Sequence, residues 1–207
     1  MHTHDTISAK RVLVIGLGGK EEFGLEGIRQ SAAVSINVAK EIGAKTIVSV
    51  LHSVGELKAA DCAQAMAEGA RLADYVFDKY KKPSNKSPKS FTIVSNDGRD
   101  VRSAEKGIEL ARLLAQGTVF ARDLVNSPAQ DVYPERLVQV AREIARGTGN
   151  IRVKVYDREQ LKRMGAGGIL GVAQGSDHPP YLVHMVYKPK TKTKKSVVLV
   201  GKAVTFD

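Results

Sequence analysis

The residues best suited to chemistry stand at the end of the chain, in Ser196-Val197-Val198-Leu199-Val200-Gly201-Lys202-Ala203-Val204-Thr205-Phe206-Asp207. A lysine amine is a nitrogen donor when neutral, and a carboxylate is a hard oxygen donor of the kind divalent cations select. Both therefore suit a metal site if they can face the same point. The apolar run Val197–Val200 reads as a buried strand. In a regular strand Lys202 and Asp207, five positions apart, would point to opposite faces. A shared site needs a turn or bulge between strand and aspartate, and Gly201 is the natural place for it. The same residues also describe a strand end with a solvated lysine and an isolated carboxylate.

The preceding elements must position these groups, and they alternate. Val12–Ile15 reads as a short strand running into Gly16-Leu17-Gly18-Gly19. A dinucleotide-binding G-x-G-x-x-G would need glycine at 21, where Glu21 stands, so a tight turn is expected. Leu25, Ile28, Ala32, Ile36, Ala39 and Ile42 mark one face of a helix closed by Gly43. A strand at 46–51, a helix over about 56–80, a strand at 91–95 and a helix over about 101–125 follow. Pro134 suits the first turn of a helix ending at Gly147. A strand at 151–156 comes next, then a capping box at Asp157 and Gln160, and a strand at 181–187. The pattern predicts an α/β fold, with a mainly parallel sheet and flanking helices in an N-terminal domain, residues 1–100. A long connecting helix, 101–126, then leads into the first part of a second α/β domain, 127–207.

Composition narrows the class. Of 207 residues, 43% are hydrophobic and 26% charged, the balance of a globular protein. No run approaches the roughly 18 apolar residues of a spanning helix, and the N-terminus lacks the order of a signal peptide. The single cysteine, Cys62, excludes an internal disulfide framework, fits a cytoplasmic setting and reads as a buried small side chain. Net charge is +10, concentrated in Lys79, Lys81, Lys82, Lys86 and Lys89 and in Lys188, Lys190, Lys192, Lys194 and Lys195. Neither lysine run carries an arginine fork or interleaved aromatics, so the charge points to solubility and non-specific association before nucleic-acid recognition. His178 and His184 are six apart around Pro179-Pro180 and lack zinc-pair spacing.

Four blocks carry a resemblance. Ala67–Lys81 is similar to the helix end of the N-terminal domain of the leucyl (cytosol) aminopeptidases. Ala121-Arg122-Asp123-Leu124-Val125-Asn126-Ser127-Pro128 resembles their A-R-D-L-x-N-T-P at the start of the catalytic domain. Val172-Ala173-Gln174-Gly175-Ser176 with Pro179-Pro180 resembles their glycine-rich strand-turn segment, and Val200–Asp207 their metal-binding strand V-G-K-G-x-T-F-D-S-G-G. Position 203 is Ala where that motif has Gly.

The resemblance implies metal-dependent release of N-terminal, leucine-like amino acids from peptides, two divalent ions (Mn²⁺ or Zn²⁺), a cytoplasmic homohexamer and no membrane. It implies Lys202 and Asp207 as metal ligands, with the amine deprotonated by adjacent dications. The family's S-G-G, its catalytic lysine and its N-T-D-A-E-G-R block have no counterpart here. The chain is therefore expected to be a fragment without catalytic residues, inactive alone. Two other readings stand beside it: a non-catalytic basic regulatory or DNA-associated α/β module, and a small-ligand domain using Gly16–Gly19.

Overall fold

The computed structural model describes residues 1–4, 6–19, 21–52, 56–82, 86–191 and 195–206. They form two compact units, Met1–Asp123 and Leu124–Asp207.

The first unit is organised on two helices, α1 (Leu25–Glu41) and α2 (Ala59–Asp74). Helix α2 is alanine-rich, and small side chains let helix backbones approach closely. Gly69 shows how closely: a Cβ added there would collide with the carbonyl oxygen of Arg29 in α1. Ile28, Ala32, Cys62, Ala65 and Met66 form the core between the two helices. Strands β1 (Thr46–Val50) and β2 (Ser90–Val94) pair in parallel, Thr46 opposite Ser90 through Val50 opposite Val94. Their alternation turns Phe91 and Ile93 onto that core and leaves Val48, Val50 and Val94 exposed. The crossover β1–α2–β2 is the unit that a parallel pair requires.

Helix α3 (Gly98–Asn126) starts three residues earlier than the apolar periodicity suggests, because the Asp97 carboxylate accepts the Arg99 amide at 2.9 Å. Its buried positions are Ala104, Gly107, Ala111 and Ala115, and Gly107 lies so near the Ala60 carbonyl that a Cβ would not fit.

Two sequence expectations change in this unit. Val12–Ile15 is not a strand. Only an isolated antiparallel bridge joins His2 to Arg11, the Val12 amide donates to the Met1 carbonyl at 3.0 Å, and Val14 is exposed. No described strand runs alongside to complete a ladder. Helix α2 is also shorter than 56–80. Tyr75 turns extended (φ −58°, ψ 131°) where Arg122 donates to the Leu72 carbonyl and Lys40 to the Ala73 carbonyl, both at 2.9 Å. Cationic side chains from α3 and α1 thus satisfy the end of the helix and suit its dipole.

In the second unit, α4 (Pro134–Thr148) starts on proline and ends at Gly149, whose φ is 65°. Strand β3 (Ile151–Tyr156) pairs antiparallel with β4 (Leu182–Tyr187), Ile151 opposite Tyr187. Between them lies α5 (Arg158–Arg163), entered through the expected capping box: the Asp157 carboxylate accepts the Gln160 amide at 2.8 Å, and the Asp157 amide donates to the Gln160 side chain at 3.0 Å. The segment Val172–Ser176, expected as strand and turn, instead closes α6 (Gly167–Val172) and makes a short 3-10 turn at Ala173–Gly175. The backbone of α6 is satisfied locally, Leu170 donating to Ala166 at 3.1 Å, with no described strand beside it to favour extension. Residues 195–206 form neither helix nor strand, so the buried strand expected at Val197–Val200 is replaced by an irregular run 79 to 93% exposed. Extended backbone becomes a strand only against a partner, and β3 and β4 pair here with each other alone.

Candidate functional site

Lys202 lies on that irregular run with its side chain exposed, and Asp207 lies outside the described residues, as do Lys192 and Lys194. Among the described residues no three His, Cys, Asp or Glu side chains gather as a metal would require. A hard dication needs several oxygen or imidazole donors in one place. The described residues therefore do not fit a two-metal centre, and Lys202 is the one expected ligand that can be placed.

The other residues with chemical potential are structural in their surroundings. Cys62 is fully buried, and burial pushes its thiol upward, helped by the negative charges of Asp61 and Asp100. His52, half-buried beyond β1, is held below its ordinary value by burial. Gly18 takes φ 82°, and the turn expected at Gly16–Gly19 falls later, at Glu21–Glu22, with the Glu22 amide donating to the Gly19 carbonyl at 3.1 Å. His178 stacks on Tyr133, ring centres 4.8 Å apart and 17° from parallel, with its Nδ1 3.5 Å from the Glu135 carboxylate. That arrangement ties the turn before β4 to the first turn of α4, where an acidic residue suits the helix dipole. Tyr181 nearby is pushed up by burial and then by the charges of Glu135 and Asp157. His184 is exposed on β4, opposite Lys154.

Among the described residues of the first unit, Glu68 is the charged side chain that is buried. Glu68, on the face of α2 toward α1, receives Arg29 Nε and Nη2 at 3.0 and 2.9 Å on one oxygen and Gln64 at 2.8 Å on the other. A carboxylate so enclosed must be fully paired, and this one is. Burial pulls the Arg29 guanidinium down, but its bonds to Glu68 and Glu26 outweigh that and hold it above its ordinary value.

Elsewhere in the first unit, an open groove of about 280 Å³ lies between α1, α2, β2 and the middle of α3. Its floor is apolar, with Ile36, Ala70, Phe91 and Ile108, and its polar wall carries Arg71, Asp74 and Lys89. Sequence reasoning missed it, because each wall comes from a different element and no local pattern marks the joint surface. The alternation that turns Phe91 and Ile93 inward was the available signal.

Comparisons with known proteins bear on both units. The model of the cytosol aminopeptidase family's N-terminal domain matches residues 1–84, and that of its catalytic domain matches residues 119–207. A protein of Persephonella marina named "Probable cytosol aminopeptidase" is 33% identical over 198 residues, 95% of this chain and 39% of its own length. One of the same name from Aquifex aeolicus is 35% identical over 199 residues, 95% of this chain and 38% of its own. Among solved structures, a mutant of tomato leucine aminopeptidase superposes with a TM-score of 0.74 at 29% identity, over 87% of this chain and 36% of that one. The bottromycin maturation enzyme BotP in complex with Mn gives 0.69 at 29% identity, over 85% and 36%. The chain spans about two fifths of the length of the curated relatives it matches.

Proposed function

Because this chain belongs to the cytosol aminopeptidase family, we propose that it is the N-terminal domain, connecting helix and opening part of the catalytic domain of a peptidase. That peptidase hydrolyses the first peptide bond of a substrate and releases a leucine-like amino acid. The observation that carries the reading is the match of two consecutive domains of one family, in order, to the two ends of the chain. The domain assignment proposed is 1–100, 101–126 and 127–207.

Metal dependence belongs to the same proposal. The expected cofactor is a pair of divalent ions, Mn²⁺ or Zn²⁺, for which Lys202 and Asp207 are the ligands this stretch would contribute. The manganese of BotP supports metal use in a relative of the same fold. Such ions supply Lewis-acid polarisation of the scissile carbonyl and an acidified water. Among the described residues, Lys202 stands exposed without clustered carboxylates around it. The 207 residues alone should therefore bind Mn²⁺ or Zn²⁺ weakly and release no amino acid from peptides. The assembly proposed for the complete protein is a cytoplasmic homohexamer. Among the described residues, no helix is long and apolar enough to cross a membrane.

The test is kinetic. A full-length protein containing this stretch, loaded with Mn²⁺ or Zn²⁺, should release leucine from short peptides with a free N-terminus and leave N-acetylated peptides intact. Lys202→Ala should lower kcat by at least a hundredfold. A metal-loaded full-length protein inert toward all free N-termini would show the reading to be wrong.

A further inference from the structure

We propose that the groove on the first unit binds a free aliphatic α-amino acid. Three features of its wall together select that chemistry. The floor of Ile36, Ala70, Phe91 and Ile108 offers a hydrocarbon side chain an apolar seat. Arg71 and Lys89 provide cations for a carboxylate, Arg71 with a planar fork that matches it. Asp74, one helical turn from Ala70 along α2, provides an anion for an ammonium group.

A single positive or negative wall would suit a simple acid or amine. Both signs around one apolar floor suit a zwitterion that carries a hydrocarbon group. Size sets the other limit. About 280 Å³ is the space of about nine waters at about 30 Å³ each. That is room for one amino acid.

The charges are held ready for a ligand. Lys40 lies 3.2 Å from Asp74 Oδ1 while bonding the Ala73 carbonyl, which fixes the aspartate at the end of α2. That oxygen is buried and taken up by the lysine, whereas the side chain as a whole stays 41% exposed, so the second oxygen is the one an ammonium group can reach. Arg71 is exposed, and nearby Glu109 is held by Arg112 at 2.6 Å.

That the ligand is also the class of product the enzyme would release rests on the aminopeptidase reading; the binding itself does not. The groove lies wholly within the first unit, so it can be tested on the 207-residue chain.

Titration of that chain with L-leucine, followed by calorimetry and by amide shifts, should give one saturable site. The shifts should centre on residues 70–74 and 89–93. 4-Methylpentanoate, which lacks the ammonium, and 3-methylbutylamine, which lacks the carboxylate, should each bind at least tenfold more weakly, as should glycine. Asp74→Asn should weaken leucine about tenfold. Arg71→Ala, at an exposed position where folding is not at stake, should do the same. Absence of saturable leucine binding overturns the inference, as does equal binding of leucine and 4-methylpentanoate, or full affinity in both variants. A full-length protein without peptidase activity would overturn the functional reading and leave a positive titration standing. A negative titration would do the reverse.

Discussion

At the residue scale, burial decides what the titratable groups can do. Cys62 has a fully buried, upward-shifted thiol, the opposite of what a nucleophilic or redox-active cysteine needs. Ellman's reagent should react with it only as fast as the first unit opens, at a rate independent of reagent concentration once reagent is in excess. Immediate stoichiometric reaction in the native protein would contradict the buried placement. His52 makes a pH prediction. Its folded-state value lies below the ordinary one, so the unfolded chain binds the proton more readily. Stability contributed by the neutral ring is complete above about pH 6.5 and is lost as pH falls toward the lower folded value. Urea midpoints of the wild type should fall between pH 7 and pH 5 more steeply than those of His52→Gln. Parallel pH profiles for the two proteins would remove His52 as a cause.

At the element scale, glycines with opposite surroundings give opposite predictions. Gly69 faces the Arg29 carbonyl across the α1–α2 contact, so Gly69→Ala should destabilise by about 1–3 kcal/mol or more as the helices are forced apart. Gly117, exposed inside α3 with open space where a methyl group would stand, should behave the other way. Gly117→Ala should stabilise by about 0.5–1 kcal/mol through helix propensity alone. Chemical denaturation reads both, and the same sign for the two would contradict the packing. Removing the capping box with Asp157→Ala should cost about 1 kcal/mol.

These elements also mark where sequence was legible. The Asp157–Gln160 box and the Pro134 start are local codes, and both stand as read. The helix face through Ile28, Ala32, Ile36 and Ala39 is buried as its period required. The extent of α2 was not legible, because Arg122 and Lys40 end it from distant positions. Apolar runs were ambiguous for the same reason. Val12–Ile15 and Val197–Val200 carry strand composition, yet composition does not supply the neighbouring strand that a ladder needs. The groove beneath Arg71 and Asp74 was invisible because its walls lie far apart in the chain. At the other end, the motif that holds Lys202 was legible as a resemblance, and the ligand role proposed for it depends on residues that local sequence does not specify.

At the scale of the whole molecule, two surface properties oppose each other. A net charge of +10 keeps copies apart at low ionic strength and weakens as salt screens it. Against this stands Val197-Val198-Leu199-Val200, four consecutive apolar residues that are 79 to 93% exposed and carry no charge among them. Among the described residues its backbone donors and acceptors are unpaired, and with an apolar side-chain set that meets the two requirements for edge-to-edge association. Screening therefore decides the balance. Light scattering on the 207-residue chain should show a monomer in dilute buffer and growing assemblies as salt is raised toward physiological strength. Leu199→Lys places a charge in the middle of the run at a side chain that is 91% exposed. It should keep the chain monomeric over the same range, with unchanged far-ultraviolet circular dichroism. A matching exposed substitution elsewhere, Val34→Lys on α1, adds the same charge and should not protect to the same degree. If the two lysine variants resist association equally, net charge and not the exposed run controls it. If neither does, the association runs through another surface, and the exposed face of β1 and β2 at Val48 and Val94 is the one to alter next.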